Sequence, residues 1–251
     1  MGPAQLAVLA LAGTAAGTMN TVVGSGSLVT FPVLLALGLP PVTANVTNNV
    51  GIFPGSISGS FAYRHELSGH LAVTMRLAAF SAASGASGAL LLLALPAATF
   101  RAIVPIMIAT ACVLVVLQPL LRRRFTHLTA SGTTQGHPVL LKAGVVVTGV
   151  YGGYFGAAQG VILLSLLGVF AGRDLQTTNG IKNVLGATTN LAAAGVFVCL
   201  GHVEWAAAGC IALGAVAGGQ LGGSIARRLP DAVFRVAIVC FGVAAMIRLL
   251  L

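Results

Sequence analysis

Acidic side chains are the scarcest feature of this chain. Only 4 Asp and Glu occur in 251 residues, and all charged types together make up 7%. Soluble domains carry roughly 25% charged residues, so no ordinary water-facing surface can be built from this composition. Glu66, Asp174, Glu204 and Asp231 all fall between apolar runs or at their ends. None is placed mid-membrane to act as a proton relay. Paired catalytic carboxylates, HExxH spacing and a G-x-S-x-G elbow are also missing, and no enzyme is expected. His65, His70, His127, His137 and His202 share no metal-ligand spacing, so neither a metal nor a cofactor is expected. The four cysteines (Cys112, Cys199, Cys210 and Cys240) lie in apolar runs without CxxC spacing and read as inert packing thiols. Alternating strands of about ten residues are absent, which argues against an outer-membrane barrel.

What remains is apolar and small. Hydrophobic residues make up 57% of the chain, aromatics only 6%, and there are 33 glycines. Such a composition suits helices that pack closely through small residues in lipid. The bilayer is therefore the expected surroundings. Lys and Arg number 13, for a net charge of +9, yet they form no basic helix or aromatic-interleaved stripe. Cationic cytoplasmic loops are expected from them rather than nucleic-acid binding. No Lys or Arg precedes the first apolar stretch, so neither a secretory signal peptide nor a cytoplasmic N-terminus is expected.

The apolar runs cover 4–38, 43–62, 71–95, 100–121, 139–171, 177–200, 204–226 and 231–250. Six have lengths near the ~20 residues that span a bilayer core. The other two, 4–38 and 139–171, are longer and broken near the middle: Asn20 to Ser27 interrupts the first, Gly156 to Gly160 the second. The one long polar connection is 122–138.

The sequences on either side of that connection resemble each other. Gly17 and Gly24 match Gly153 and Gly160 at an offset of 136; Thr43, Asn45, Asn49 and Val50 match Thr177, Asn179, Asn183 and Val184 at an offset of 134. The order predicts an all-α polytopic membrane protein of two repeats, 1–121 and 139–251, joined by a basic cytoplasmic linker at 122–138. Charge placement then selects a topology. If all eight runs cross, the cations divide seven against six. If 4–38 and 139–171 are hairpins returning to the side they enter from, the division is eleven against two, with Arg101 and Arg248 the minority. The positive-inside rule favours the second arrangement. Each repeat then has a broken-helix hairpin and three full crossings. An odd number of crossings inverts the second repeat relative to the first and leaves both termini outside.

Inverted repeats with broken helices are a transporter architecture. A helix interrupted inside the membrane leaves amides and carbonyls unsatisfied, tolerable only against protein or a hydrated cavity. The freed N-terminal amides suit an anion. Gly24, Ser25 and Ser27 are well composed for such an end, and Asn20 and Gln159 flank the two breaks. Asn45 and Asn49, like Asn179 and Asn183, recur at i and i+4 after a break, so each pair shares a helical face. All four are expected to line one cavity. Ser58 and Thr188, taken singly, read as helix-packing hydroxyls. Lys182 admits two readings, a cavity-facing cation or a residue snorkelling to the interface. Arg173 and Asp174 read as an interfacial pair in a loop.

Gly17-Thr18-Met19-Asn20, Gly24-Ser25-Gly26-Ser27-Leu28, Pro32 and Thr43-Ala44-Asn45-Val46-Thr47-Asn48-Asn49 resemble the first repeat of the TauE/SafE (sulfite exporter) transporters. Gly152-Gly153-Tyr154-Phe155-Gly156 and Thr178-Asn179-Gly180-Ile181-Lys182-Asn183 echo them in the second. The resemblance covers nearly the whole chain in length, segment number and central basic loop. It implies a multi-pass carrier of the bacterial inner membrane for sulfite, organosulfonates or related small anions, and leaves substrate and direction open. The partners expected are therefore the lipid bilayer and a small anionic substrate. Self-association is left open, and a passive channel of the same architecture is the alternative.

Overall fold

The computed structural model describes residues 1–130, 138–170 and 174–225, with 236, 239–243 and 246 beyond them. Arg173 and most of the last apolar run, 231–250, lie outside the described residues, as do the side chains of Arg122, Arg123 and Arg124. All regular structure among the described residues is helical: α1 (Pro3–Val22), α2 (Ser27–Ala36), α3 (Pro41–Ala62), α4 (Leu71–Ala94), α5 (Ala97–Ala130), α6 (Pro138–Tyr154), α7 (Gln159–Phe170), α8 (Leu175–Leu200) and α9 (Trp205–Ile225). The protein is an all-α polytopic membrane protein.

Among the described residues, α4, α5, α8 and α9 each contain a stretch long and apolar enough to cross a bilayer. With 20 and 22 residues, α1 and α3 have the length as well. Their Thr, Asn and Gly content lowers their hydropathy, because most of those polar groups are buried against other helices rather than lipid. Burial by protein makes a polar membrane helix tolerable.

Both long apolar runs break where their polar and glycine residues predict. The α1 helix ends at Val22, and Gly24 adopts φ +86°. Gly26 then lies against Ala16 and Asn20, so the chain turns back on the end of α1. The second break leaves Phe155 to Ala158 between α6 and α7, with Gly156 at φ +78°. Phe155 is clamped there by Phe31 of α2 and Phe100 of α5, at ring-centroid distances of 5.3 and 6.0 Å. Helix starts follow ordinary chemistry. Proline occupies the first position of α3, where its missing amide costs nothing. The Asp174 carboxylate caps α8 by accepting from the Gln176 and Thr177 amides at 3.0 Å each. Its hydrogen bonds from Thr177 hold the carboxyl below the usual range.

The helices of the two halves interlock. The α9 helix packs on α1 and α3, while α4 packs on α6 and α8. The matching is residue by residue. Gly17 meets Ala215 and Gly153 meets Gly85; Gly88 meets Val150 and Tyr154, and Gly218 meets Thr14 and Thr18. Adding 136 along α1 and 130 along α4 converts each contact of one half into its counterpart. The central pair, α3 and α8, runs antiparallel: Ser56 contacts Asn190, while Tyr63 and Leu67 lie against Gly180. Hydroxyls join these crossings, Thr18 Oγ1 donating to the Gly218 carbonyl at 3.0 Å and Ser81 Oγ to that of Leu185 at 3.0 Å. Close backbone approach plus such bonds is how helices associate where lipid removes the hydrophobic drive.

Candidate functional site

The two breaks meet each other. Gly24 and Gly160 face each other so closely that a methyl on either would lie 2.4 Å from the other's Cα, and the Gly160 amide donates to the Gly24 carbonyl at 3.0 Å. The amides of Ser25, Gly26 and Ser27, at the start of α2, find no backbone acceptor among the described residues. Beside this crossing is a cavity of about 20 Å³, lined by Asn20, Thr21, Gly24, Ser27 and Ser56 from the first half. The second half contributes Gly156, Gln159, Gly160, Lys182, Asn183, Gly186 and Asn190. A volume of that size holds roughly one water molecule.

Lys182 supplies the charge. Its side chain is 2% exposed, and the ammonium donates to the Thr21 carbonyl at 3.1 Å. That carbonyl belongs to the last turn of α1, where carbonyls lack intrahelical partners and the helix dipole is negative. Of the two sequence readings of Lys182, the structure selects burial over snorkelling. Next to it, Asn183 Nδ2 is a buried donor without a partner among the described residues. Leaving such a group unpaired costs about 1–3 kcal/mol, and it lines the cavity. No Asp or Glu does.

The remaining polar residues form a web. Ser56 Oγ accepts from Asn20 Nδ2 at 2.9 Å and from Asn190 Nδ2 at 3.0 Å. Asn49 Nδ2 reaches Asn190 Oδ1 at 3.5 Å. Gln159 Nε2 donates to Thr189 Oγ1 at 3.1 Å. The site is thereby held from both halves through α3 and α8.

Asn20, Gly24, Ser27, Gln159, Lys182 and Asn183, all expected from the sequence, come together in this lining. Ser25, Asn45, Asn49 and Asn179 lie outside it. Asn45 Nδ2 instead donates to the Tyr154 carbonyl at 2.9 Å, tying α3 to the second break. Ser25 Oγ and Asn179 Oδ1 are buried without partners among the described residues. The four asparagines of the two i, i+4 pairs are thus not gathered in this cavity; of the four, Asn183 alone lines it. Ser56 and Asn190 were not singled out in the sequence. They are separated by 134, the offset that relates Asn49 to Asn183, so carrying the repeat register two turns further finds them. Ser58 and Thr188 do pack: Ser58 Oγ donates to the Val216 carbonyl at 2.9 Å and Thr188 Oγ1 to that of Leu185 at 3.0 Å. The histidines and acids come together nowhere among the described residues in a group that could hold a metal.

Comparison with known proteins agrees with these features. The family model "Sulfite exporter TauE/SafE" matches residues 9–249. A probable membrane transporter protein, ORF9, of a Sinorhizobium species is 28% identical over 247 residues, covering 98% of this chain and 92% of that protein. The probable membrane transporter protein YfcA of Escherichia coli K12 is 28% identical over 254 residues, with 100% and 91% covered. A probable membrane transporter protein of Haemophilus influenzae is 24% identical over 242 residues, with 93% and 90% covered. No solved structure matches.

Proposed function

This chain belongs to the sulfite exporter TauE/SafE family and is a multi-pass membrane transporter, and we propose that it carries a small anion across the bacterial inner membrane by alternating access. The observation that supports this reading best is the pairing of a buried Lys182 ammonium with the free Asn183 amide in a cavity that no carboxylate lines. A desolvated anion needs charge-assisted donors to replace its water. Ser27, whose amide at the start of α2 has no backbone acceptor among the described residues, adds to them. Sulfite, an organosulfonate or a related oxyanion fits this donor set, and Lys182 is its counter-charge.

Alternating access rests on two further features. The cavity holds roughly one water, less than any of these oxyanions needs, so the site is closed and opens to load. The antiparallel α3 and α8, with crossings that exchange under the two repeat offsets, favour inverted repeats. Rocking one half against the other then exposes the cavity to each side in turn. On this reading the chain consists of repeats 1–121 and 139–251, and both termini face outward.

Counterflow in proteoliposomes tests the reading. Vesicles preloaded with unlabelled sulfite are expected to accumulate external labelled sulfite transiently, with thiosulfate and sulfoacetate competing and chloride not. Equilibration without trans-stimulation would assign a passive pore instead.

A further inference from the structure

A second groove lies along the α3–α8 crossing. Ile57, Ser60, Phe61, Arg64 and Leu67 line one side of a groove of about 240 Å³, and Val184, Ala187, Thr188 and Leu191 line the other. Its two hydroxyl residues turn inward on their own helices: Ser60 Oγ donates to the Ser56 carbonyl at 2.9 Å and Thr188 Oγ1 to that of Leu185 at 3.0 Å. The groove wall therefore presents carbon. Phe61, 60% exposed, stands at its rim. Ile57 lies five residues before the end of α3 at Ala62, about 8 Å at helical rise, and Arg64 follows two residues beyond that end. Arg64 is exposed there and spends one guanidinium nitrogen, Nη1, on the Phe61 carbonyl at 3.2 Å. No Asp or Glu lines the groove.

We propose that this groove binds one anionic phospholipid, with an acyl chain along α3 and α8 and the phosphate at Arg64. A hydrocarbon wall ending in one cation at the helix terminus matches such an amphiphile, and basic pockets between membrane helices hold anionic headgroups. Ile57 and Leu191 adjoin Ser56 and Asn190 in sequence, so the lipid tail lies beside the hydrogen bond that joins the two halves. Its occupancy is a property of the protein surface and does not depend on which solute is transported.

Native mass spectrometry of the full chain, released from detergent with defined lipid, tests this. The expected result is retention of one phosphatidylglycerol per chain, in preference to phosphatidylcholine, by about fivefold, the effect of a single arginine near a headgroup. Arg64→Gln should abolish the preference while leaving weak binding of both lipids. Leu191→Trp, which fills the groove at an exposed position, should displace both. Equal retention of the two lipids by the unaltered chain would overturn the proposal. So would an unchanged preference in Arg64→Gln, an equal response to glycerol phosphate without acyl chains, or a dimer that hides the groove. Counterflow is measured separately, so neither reading stands in for the other.

Discussion

Lys182→Gln is expected to weaken binding of sulfite or a small sulfonate by about ten- to hundredfold, the range for losing one hydrogen bond to a charged group. Glutamine removes the charge and keeps an amide donor, its nitrogen one bond nearer the backbone than the Lys182 Nζ that now meets the Thr21 carbonyl at 3.1 Å. A lysine at the centre of a membrane helix costs about 2.5–3.5 kcal/mol on insertion scales, so the variant should melt no lower than the parent. Weaker anion binding with an equal or higher Tm is thus the signature of a lysine kept for its ligand. Lys182→Met separates the two duties, because it also leaves the α1 carbonyl without its donor and should lower the Tm. If Lys182→Gln binds anions as tightly as the parent, the lysine serves only as a cap for the end of α1.

Gly160→Ala is expected to abolish transport and to cost about 1–3 kcal/mol of stability, the usual range for forcing extra atoms into a packed site. The added methyl would lie 2.4 Å from the Gly24 Cα and 3.0 Å from its carbonyl oxygen. Both are backbone atoms and cannot swing aside. The breaks must separate, and the hydrogen bond between them is lost. Gly24→Ala meets the same obstacle and adds an unfavourable left-handed conformation at φ +86°. Two glycines on α8 serve as references, since a methyl at Gly186 or Gly195 meets nothing within 4 Å. Gly195→Ala should fold and transport normally. Gly186 lines the cavity, so Gly186→Ala should fold normally and bind substrate less well. Normal transport by Gly160→Ala would show that the meeting of the breaks is incidental.

Much of this was legible in the sequence because the membrane simplifies the code. Apolar runs give helix extents, and a Gly-Ser-Gly stretch inside one can only be a break. The buried position of Lys182 could not be read, because a lysine seven residues into a helix that starts at Leu175 is compatible with either burial or snorkelling. The face of α3 was harder still. Asn45, Thr47, Asn48 and Asn49 are all buried, so polarity surrounds this part of the helix and the i, i+4 rule has no single face to select. Asn48, for example, accepts a hydrogen bond from Thr30 of α2, and Asn45 serves the second break. Close backbone crossings such as Gly24 with Gly160 depend on two segments far apart in sequence. Only the repeated offset hints that they meet.

The central claim, a donor-rich site that selects an anion and offers no carboxylate to a cation, is tested most directly by matched ligands. Ethanesulfonate and taurine differ chiefly in the ammonium group of the second. Calorimetric titration of the purified full chain should show ethanesulfonate or sulfite binding more tightly than taurine, whose ammonium finds no Asp or Glu in the cavity lining. Equal or tighter binding of taurine would contradict the electrostatic reading of the site.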